Sequence, residues 1–340
     1  MRILLEATAG ERLGRDRGIG RYLAAITDAN AALGNDVRTI TVPARESRTG
    51  EFLALGSRCA AVARRDYDVF HAPTAYYSAI DVRRRASVVS ILDVIPLDLE
   101  AHRQTGLKAK VFHAMAARAD AVLTLSEHAS RRISELLHVA PERIVVAPLP
   151  VAEVFLPDGA AFEFANRPYV AMLMDLRTPD PRKRAHWLPR IASELDRRGV
   201  GLVVAGGGTE TLDLAGVRGL GRVPDEVWAN VLRGAAALVY TSSYEGQGMP
   251  PLEAIACGTP AIAMANTAIP EVVGQAGVLV PEAPDEVDAI QALVDAACAI
   301  AHGGDSSIWR ARCRAQAAQF TPQRFTRGLD RAYTLALGAA

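Results

Sequence analysis

Two spacings of apolar residues alternate along the chain, and together they predict its architecture. Compact apolar runs occur at Arg2–Leu5, Val37–Val42, Asp68–Pro73, Ser87–Pro96, Ala121–Ser126 and Ile144–Ala147. They recur at Tyr169–Leu173, Gly201–Gly208, Gly219–Pro224, Ala235–Tyr240, Ala261–Met264 and Gly277–Val280. Runs this short and this apolar predict parallel strands covered on both faces. Between them apolar positions return every three or four residues, as in Leu23–Leu33, which stops at Gly34, and in the tail from Trp309 to Leu337, broken at Thr321-Pro322. Strand and helix alternating in both halves predict an α/β fold of two Rossmann-like, doubly wound parallel-sheet domains facing across a cleft. Pro148, Pro150, Pro157 and Gly159 mark the linker, so the expected division is 1–150, 151–315 and a terminal helical segment 316–340.

Composition narrows the function without choosing it. A chain of 340 residues, half of them hydrophobic, is long enough for two full cores. Its 38 basic and 38 acidic residues cancel, which argues against a general partner for nucleic acid or anionic membrane, so any phosphate binding must be local. Cys59, Cys257, Cys298 and Cys313 form no metal-ligand spacing and read as reduced thiols of a cytoplasmic protein. Met1–Glu6 reads as a core strand rather than a leader. The longest uncharged run, Ala254–Pro270, is broken by Cys-Gly-Thr-Pro and Asn266, so no integral membrane contact is expected, while peripheral association stays open.

The chemistry concentrates at Thr241–Glu253. Ala235–Tyr240 predicts a buried strand, Gly246 and Gly248 permit backbone angles other residues avoid, and Pro250-Pro251 suits the first turn of a helix over Leu252–Ala256, capped by Gly258. Glu245 then stands at a strand's carboxyl end and Glu253 in a helix's first turn, in a region where open α/β sheets bind ligands and helix N-termini attract phosphate. Either acid alone is also what a solvated loop or a helix dipole selects. Asp180-Pro-Arg-Lys183, with Arg177 six residues before Lys183, is a stiff loop able to bring two cations to one diphosphate; as a bare charge run it is ordinary solvated surface.

The full pattern is more specific than its parts. Ser-x-Tyr-Glu-Gly-x-Gly-x-Pro-x-Leu-Glu-Ala followed by Cys-Gly-Thr-Pro resembles the signature of the retaining, nucleotide-sugar-dependent glycosyltransferases of family four, which have the two-domain GT-B fold. The resemblance implies that Glu245 contacts the donor sugar and Glu253 the ribose, that Arg177 and Lys183 clamp the diphosphate, and that Val223 neighbours the base. It also implies that Gly18-Ile-Gly20 approaches the diphosphate, with Arg15, Arg17 and Arg21 adding charge to its loop. Backbone N–H groups of Gly248 and Met249 would serve the same anion. His71 at a strand end, Tyr76, Asp93 and the polar segment 98–104 are the acceptor-side candidates. A structural reading stands beside each: His71 as a packed, hydrogen-bonded residue, Asp93 as a turn cap, the glycines as tight turns. The chain departs from the pattern at Gln247, usually aromatic, at Leu92, usually His before the Asp, and at Leu176, usually Gly.

The activity implied is transfer of a sugar from a nucleoside-diphosphate sugar to an acceptor hydroxyl with retention, with no cofactor and no metal, since cations and helix dipoles stabilise the departing diphosphate. Three other readings share parts of the pattern. A nucleotide-sugar 2-epimerase needs further acid/base groups, and cleft histidines are scarce. A nicotinamide dehydrogenase needs the full glycine fingerprint and a ribose-binding acid after the second strand, which are absent. A non-catalytic sugar-nucleotide binding module, suggested by Leu92, would bind donor without transferring it.

Overall fold

The structure, a computed structural model, describes residues 1–8, 18–41, 66–77, 86–99, 106–178, 180–304 and 306–339. Arg15, Arg17, Cys59 and residues 100–104 lie outside these. The chain divides into two units, Met1–Pro150 with Thr321–Ala340, and Val151–Phe320.

The first unit runs β1 (Arg2–Glu6), α1 (Gly18–Ala32), β2 (Asp36–Ile40), β3 (Val69–Ala72), β4 (Ala86–Ser90), α2 (Ile95–Asp98), α3 (Gly106–Ala116), β5 (Ala121–Thr124), α4 (Glu127–Leu137) and β6 (Ile144–Val146). Its strands lie in the order β2-β1-β3-β4-β5-β6, and every pair is parallel. Ser126 caps α4 as its type predicts, its hydroxyl accepting from Ala129 N at 3.1 Å. Leu4, Phe70, Val89, Val122 and Ile133 fill one face of the sheet. The C-terminal helix Pro322–Ala339 packs on α1, β4, β5 and β6, with Phe325 edge-on to Tyr22 at 6.0 Å between ring centroids.

One expectation changes here. Gly18 and Gly20 do not form a loop before the helix; they are the first turn of α1. The reason is packing: Gly20, Tyr22, Ile26, Ala29 and Asn30 are buried, and that stripe carries the helix back to Gly18.

The second unit runs β7 (Tyr169–Leu173), α5 (Leu188–Arg197), β8 (Gly201–Ala205), β9 (Val217–Gly219), α6 (Asp225–Gly234), β10 (Ala237–Tyr240), α7 (Met249–Ala256), β11 (Ala261–Met264), α8 (Ile269–Val273), β12 (Gly277–Val280), α9 (Glu286–His302) and α10 (Ser307–Ala317). Its order is β12-β11-β10-β7-β8-β9, again all parallel. Successive strand residues point to opposite faces, and the core divides accordingly. Ala171, Val203, Leu238 and Ala263 meet Trp228, Leu232, Leu252 and Ile269 on one face. Met172, Val204, Val239 and Ile262 meet Ile191, Leu195, Leu293 and Val294 on the other. The continuous apolar runs of the inner strands β7, β8, β10 and β11 are thus explained: both of their faces are covered by helices, whereas the edge strand β9 keeps Arg218 exposed. Among the described residues no helix is long and apolar enough to cross a membrane.

Candidate functional site

In the second unit the chain leaves β7 outward through β8 and β9, then returns to place β10 on the other side of β7. Loops leaving the carboxyl ends of β7 and β10 therefore diverge, and such a reversal of strand order is where open α/β sheets bind ligands. The two loops are laced together here. Thr241 donates its hydroxyl to Lys183 O at 2.7 Å, and Ser243 N donates to Arg182 O at 2.8 Å. The β7 loop is stiffened by Asp180, whose carboxylate accepts from Arg182 N at 3.1 Å and so caps the short turn Pro181–Lys183.

Glu245 is the hub of what this lacing assembles. Its Oε1 accepts from Lys183 Nζ, from the Tyr240 hydroxyl at 2.6 Å and from Ser242 Oγ at 2.7 Å. Lys183 Nζ also donates to the Tyr240 hydroxyl at 2.7 Å. Arg182 reaches Glu245 Oε2 at 3.3 Å while donating to Tyr244 O at 2.8 Å and Asp180 Oδ2 at 2.6 Å. The side chain of Glu245 is 12% exposed. Burial by itself would push its carboxyl up; the Lys183 and Arg182 charges and the bonds from Lys183 and Tyr240 outweigh this and hold it below the usual 4.5. Burial, then the Glu245 charge, raise Tyr240 well above 10, so its hydroxyl stays a donor. The arrangement is an ionised carboxylate with two cations on it, one of them still 27% exposed at Lys183.

Arg177 is not part of this hub. Its backbone N is tied to Asp175 Oδ1 at 3.0 Å, and its guanidinium pairs with Glu210 while remaining 70% exposed. Arg177 and Lys183 thus share no partner in this structure: the cation beside Lys183 on Glu245 is Arg182. The turn capped by Asp180 places adjacent residues at one carboxylate, whereas the loop before it is held to the Gly207 side, where Leu176 N donates to Gly207 O at 2.7 Å.

The helix beyond the hub also starts earlier than its sequence suggests. Gly248 is the N-cap of α7 at φ 100°, a left-handed angle that favours glycine, and Met249 is the first helical residue. Pro250 and Pro251 carry no N–H, so Gly248 and Met249 supply the backbone donors that this N-terminus presents. Glu253 falls in the second turn, not the first, and is 3% exposed; its Oε2 accepts from Trp228 Nε1 on α6 at 3.1 Å. The contact with Trp228 is not legible in the sequence. Val223, half-buried before α6, packs against the same core as Trp228.

In the first unit, β1 and β3 form the corresponding reversal. His71 on β3 does not present itself to a ligand, which corrects its place among the acceptor residues. It is fully buried, with Nδ1 and the Tyr333 hydroxyl 2.9 Å apart and Nε2 and Ser90 Oγ 3.0 Å apart. Tyr333 also accepts from Asn30 Nδ2 at 3.1 Å, so His71 ties β3 and β4 to α1 and the C-terminal helix. Asp93 caps a turn, accepting from Ile95 N at 3.0 Å, and Tyr76 lies 5.5 Å from Phe112 between ring centroids.

Burial lowers the pKa of His71 from 6.5 to about 3. The unfolded chain therefore binds a proton that the folded unit refuses, and the stability associated with a neutral His71 is complete above pH 6.5 and declines as pH falls toward the folded value. Melting temperatures measured between pH 7 and pH 5 should fall in the wild type, and His71→Asn should flatten that slope; an equal slope in the variant rules out His71 as the sensor.

A cavity of about 870 Å³ lies at the opposite strand ends of the second unit, lined by Ala235, Ala236, Pro260, Arg233, Arg310 and Arg314 among others. It contains none of the candidate residues, and the reversal between β7 and β10 takes precedence because charged groups converge there.

Residues 167–299 match the family model described as Glycosyl transferases group 1. The O-antigen chain mannosyltransferase B of Escherichia coli is 29% identical over 314 residues, covering 83% of this chain and 78% of that one. Among solved structures, a sucrose-phosphate synthase from Thermosynechococcus elongatus superposes with TM-score 0.74 at 19% identity, covering 100% of both chains. HepE from Anabaena, solved with UDP and glucose, superposes with TM-score 0.72 at 18% identity over 98% of this chain and 99% of that one. At such identities the superpositions establish the fold.

Proposed function

We propose that the chain is a family-four-like GT-B glycosyltransferase of the group 1 kind, which moves a sugar from a nucleoside-diphosphate sugar to an acceptor hydroxyl with retention and without a metal; the family match over residues 167–299 and the Escherichia coli relative support this reading. The observation that carries this reading is Glu245 held between Lys183 and Arg182 at the reversal of strand order. A diphosphate arriving there meets two cations and the N–H groups of Gly248 and Met249. It takes Lys183 from Glu245, and the freed carboxylate accepts hydroxyls of the transferred sugar. Charge develops on the departing phosphate, so pre-placed cations and backbone dipoles lower the barrier. The same phosphate takes the acceptor's proton as the acceptor attacks from the face the donor leaves. Glu253, steadied by Trp228, serves the ribose, and Val223 lies beside the base. Asp93 and Tyr76 remain for the acceptor. Arg182, rather than Arg177, is the second diphosphate cation.

The Escherichia coli relative supports a mannosyl group as the sugar and an O-antigen chain as the kind of acceptor to try first. Calorimetric titration of UDP, GDP, ADP and dTDP, with a chelator present, tests the donor half. One nucleotide binding tightly is the expected result; none binding, or binding only after a divalent cation is restored, overturns it. Product anomers assigned by NMR test retention. Donor binding with neither transfer nor hydrolysis would instead identify a binding module.

A further inference from the structure

The turn after β11 contains a backbone outlier that the reaction outlined above does not use. Among the described residues Thr267 is the one β-branched side chain with left-handed backbone, at φ 46°. The other non-glycine residues with positive φ are His138, Ala165, Asn166 and Arg184. A branched Cβ is crowded against its own backbone in that region. Such conformations persist where the surroundings over-determine them, and they cluster at functional sites.

What over-determines Thr267 is the Glu245 loop. Thr267 Oγ1 accepts from Glu245 N at 3.0 Å and donates to Asn266 Oδ1 at 3.2 Å. Asn266 Nδ2 donates to Ser242 O at 3.0 Å and to Glu282 Oε1 at 2.7 Å, and Glu282 Oε2 pairs with Arg184 at 2.7 Å. Asn266 and Thr267 therefore grip both ends of Ser242–Glu245, the segment whose own Ser242 Oγ holds Glu245 Oε1. Rotation of the Glu245 peptide would swing the carboxylate away from Lys183, and the hydroxyl on Glu245 N opposes that rotation.

We propose that Asn266–Thr267 is a strained brace and that Thr267 is a positioning residue which keeps the Glu245 carboxylate in register with Lys183 and Arg182. This rests on the reading of Glu245 as the group that meets the transferred sugar. Strain kept in the turn holds a geometry that a relaxed residue leaves loose.

The test uses Thr267→Gly, Thr267→Ser and Glu245→Gln, each measured for melting temperature, nucleoside-diphosphate affinity and kcat at saturating donor. Glycine accepts the left-handed angle freely but has no hydroxyl. The expected result is a Thr267→Gly protein at least as heat-stable as wild type, with nucleotide affinity kept, and kcat lowered about tenfold to a hundredfold, the scale on which misplacement of a reacting group acts. Thr267→Ser, which keeps the hydroxyl, restores most of the rate. The double variant with Glu245→Gln should be no slower than Glu245→Gln alone, since both act on one group. If Glu245→Gln is as active as wild type, the reading of Glu245 fails. If Glu245→Gln is impaired while Thr267→Gly keeps full kcat, the brace is overturned. It is overturned equally if Thr267→Gly loses stability and rate together and Thr267→Ser recovers neither.

Discussion

Lys183→Ala lowers kcat at saturating donor by roughly 10²-fold or more, the effect of deleting one preorganised charge-stabilising group. Lys183 Nζ lies on Glu245 and on the Tyr240 hydroxyl, 5.0 Å from the Tyr240 ring centroid, and is the more exposed of the two cations on that carboxylate. In the function proposed above it is the cation that an arriving diphosphate takes. Its loss leaves Glu245 with Arg182 at 3.3 Å, so the carboxylate keeps one charged partner. The folded state weakens by about 1–3 kcal/mol rather than collapsing. Loss of the Lys183 charge and hydrogen bond also moves the Glu245 carboxyl upward, so residual activity should fail on acidification at a higher pH than in the wild type, whose Glu245 is held below the usual 4.5. Lys183→Arg should not restore the rate, because a planar fork does not replace a compact ammonium at this site. Wild-type kcat in Lys183→Ala, with a normal melting curve, would remove Lys183 from the reaction.

Gly206→Ala destabilises the second unit by roughly 3 kcal/mol or more, combining about 1–3 kcal/mol for a backbone region glycine alone enters freely with about 1–3 kcal/mol for overpacking. Gly206 sits at φ 123°, and an added Cβ would lie 2.0 Å from Met174 O, a main-chain atom that cannot step aside. The residue stands where β8 ends, and its N donates to Gly221 O at 2.8 Å. Next to it, Gly207 O accepts from Leu176 N, so the same turn supports the loop that leads to Lys183. For a unit of this size a loss on that scale lowers the melting temperature by about 6–12 °C. Gly34→Ala is the control: Gly34 has φ 66° but nothing within 4 Å of an added Cβ, so its cost is about 1 kcal/mol, that of the angle itself. Calorimetry showing equal effects for the two substitutions would contradict the steric account.

Strand positions in this chain follow from local sequence, whereas helix starts and side-chain partners do not. Tyr169–Leu173, Ala261–Met264 and Gly277–Val280 are strands over the bounds their apolar runs suggest, because local hydrophobicity and flanking glycine or proline suffice to define a buried parallel strand. Helix starts were less legible. Tyr22 and Ile26 draw α1 back through Gly18, and the Gly248 cap starts α7 before its two prolines. Both outcomes depend on what the helix packs against. Glu245 and Glu253 stood out by their spacing around a glycine and proline turn, yet that spacing places both in one region without saying that one is a hub for two cations and the other is buried against Trp228. The Arg182 signal was present in Pro-Arg-Lys183, but three arginines flank that lysine within seven residues, and side-chain direction in a loop is set by what lies opposite.

Periodicity, turn residues and chain order, all of them local, were enough for the α/β class, the two parallel sheets and the region where the acids and cations gather. Tertiary structure alone decided that Arg182 rather than Arg177 joins Lys183, that His71 is withdrawn into a network with Tyr333, and that Thr267 is held at a costly angle to keep Glu245 in place. Those outcomes are pairings across 22 to 262 residues of chain. A charge or hydroxyl finds its partner only when the strands that carry both have taken their places in the sheet.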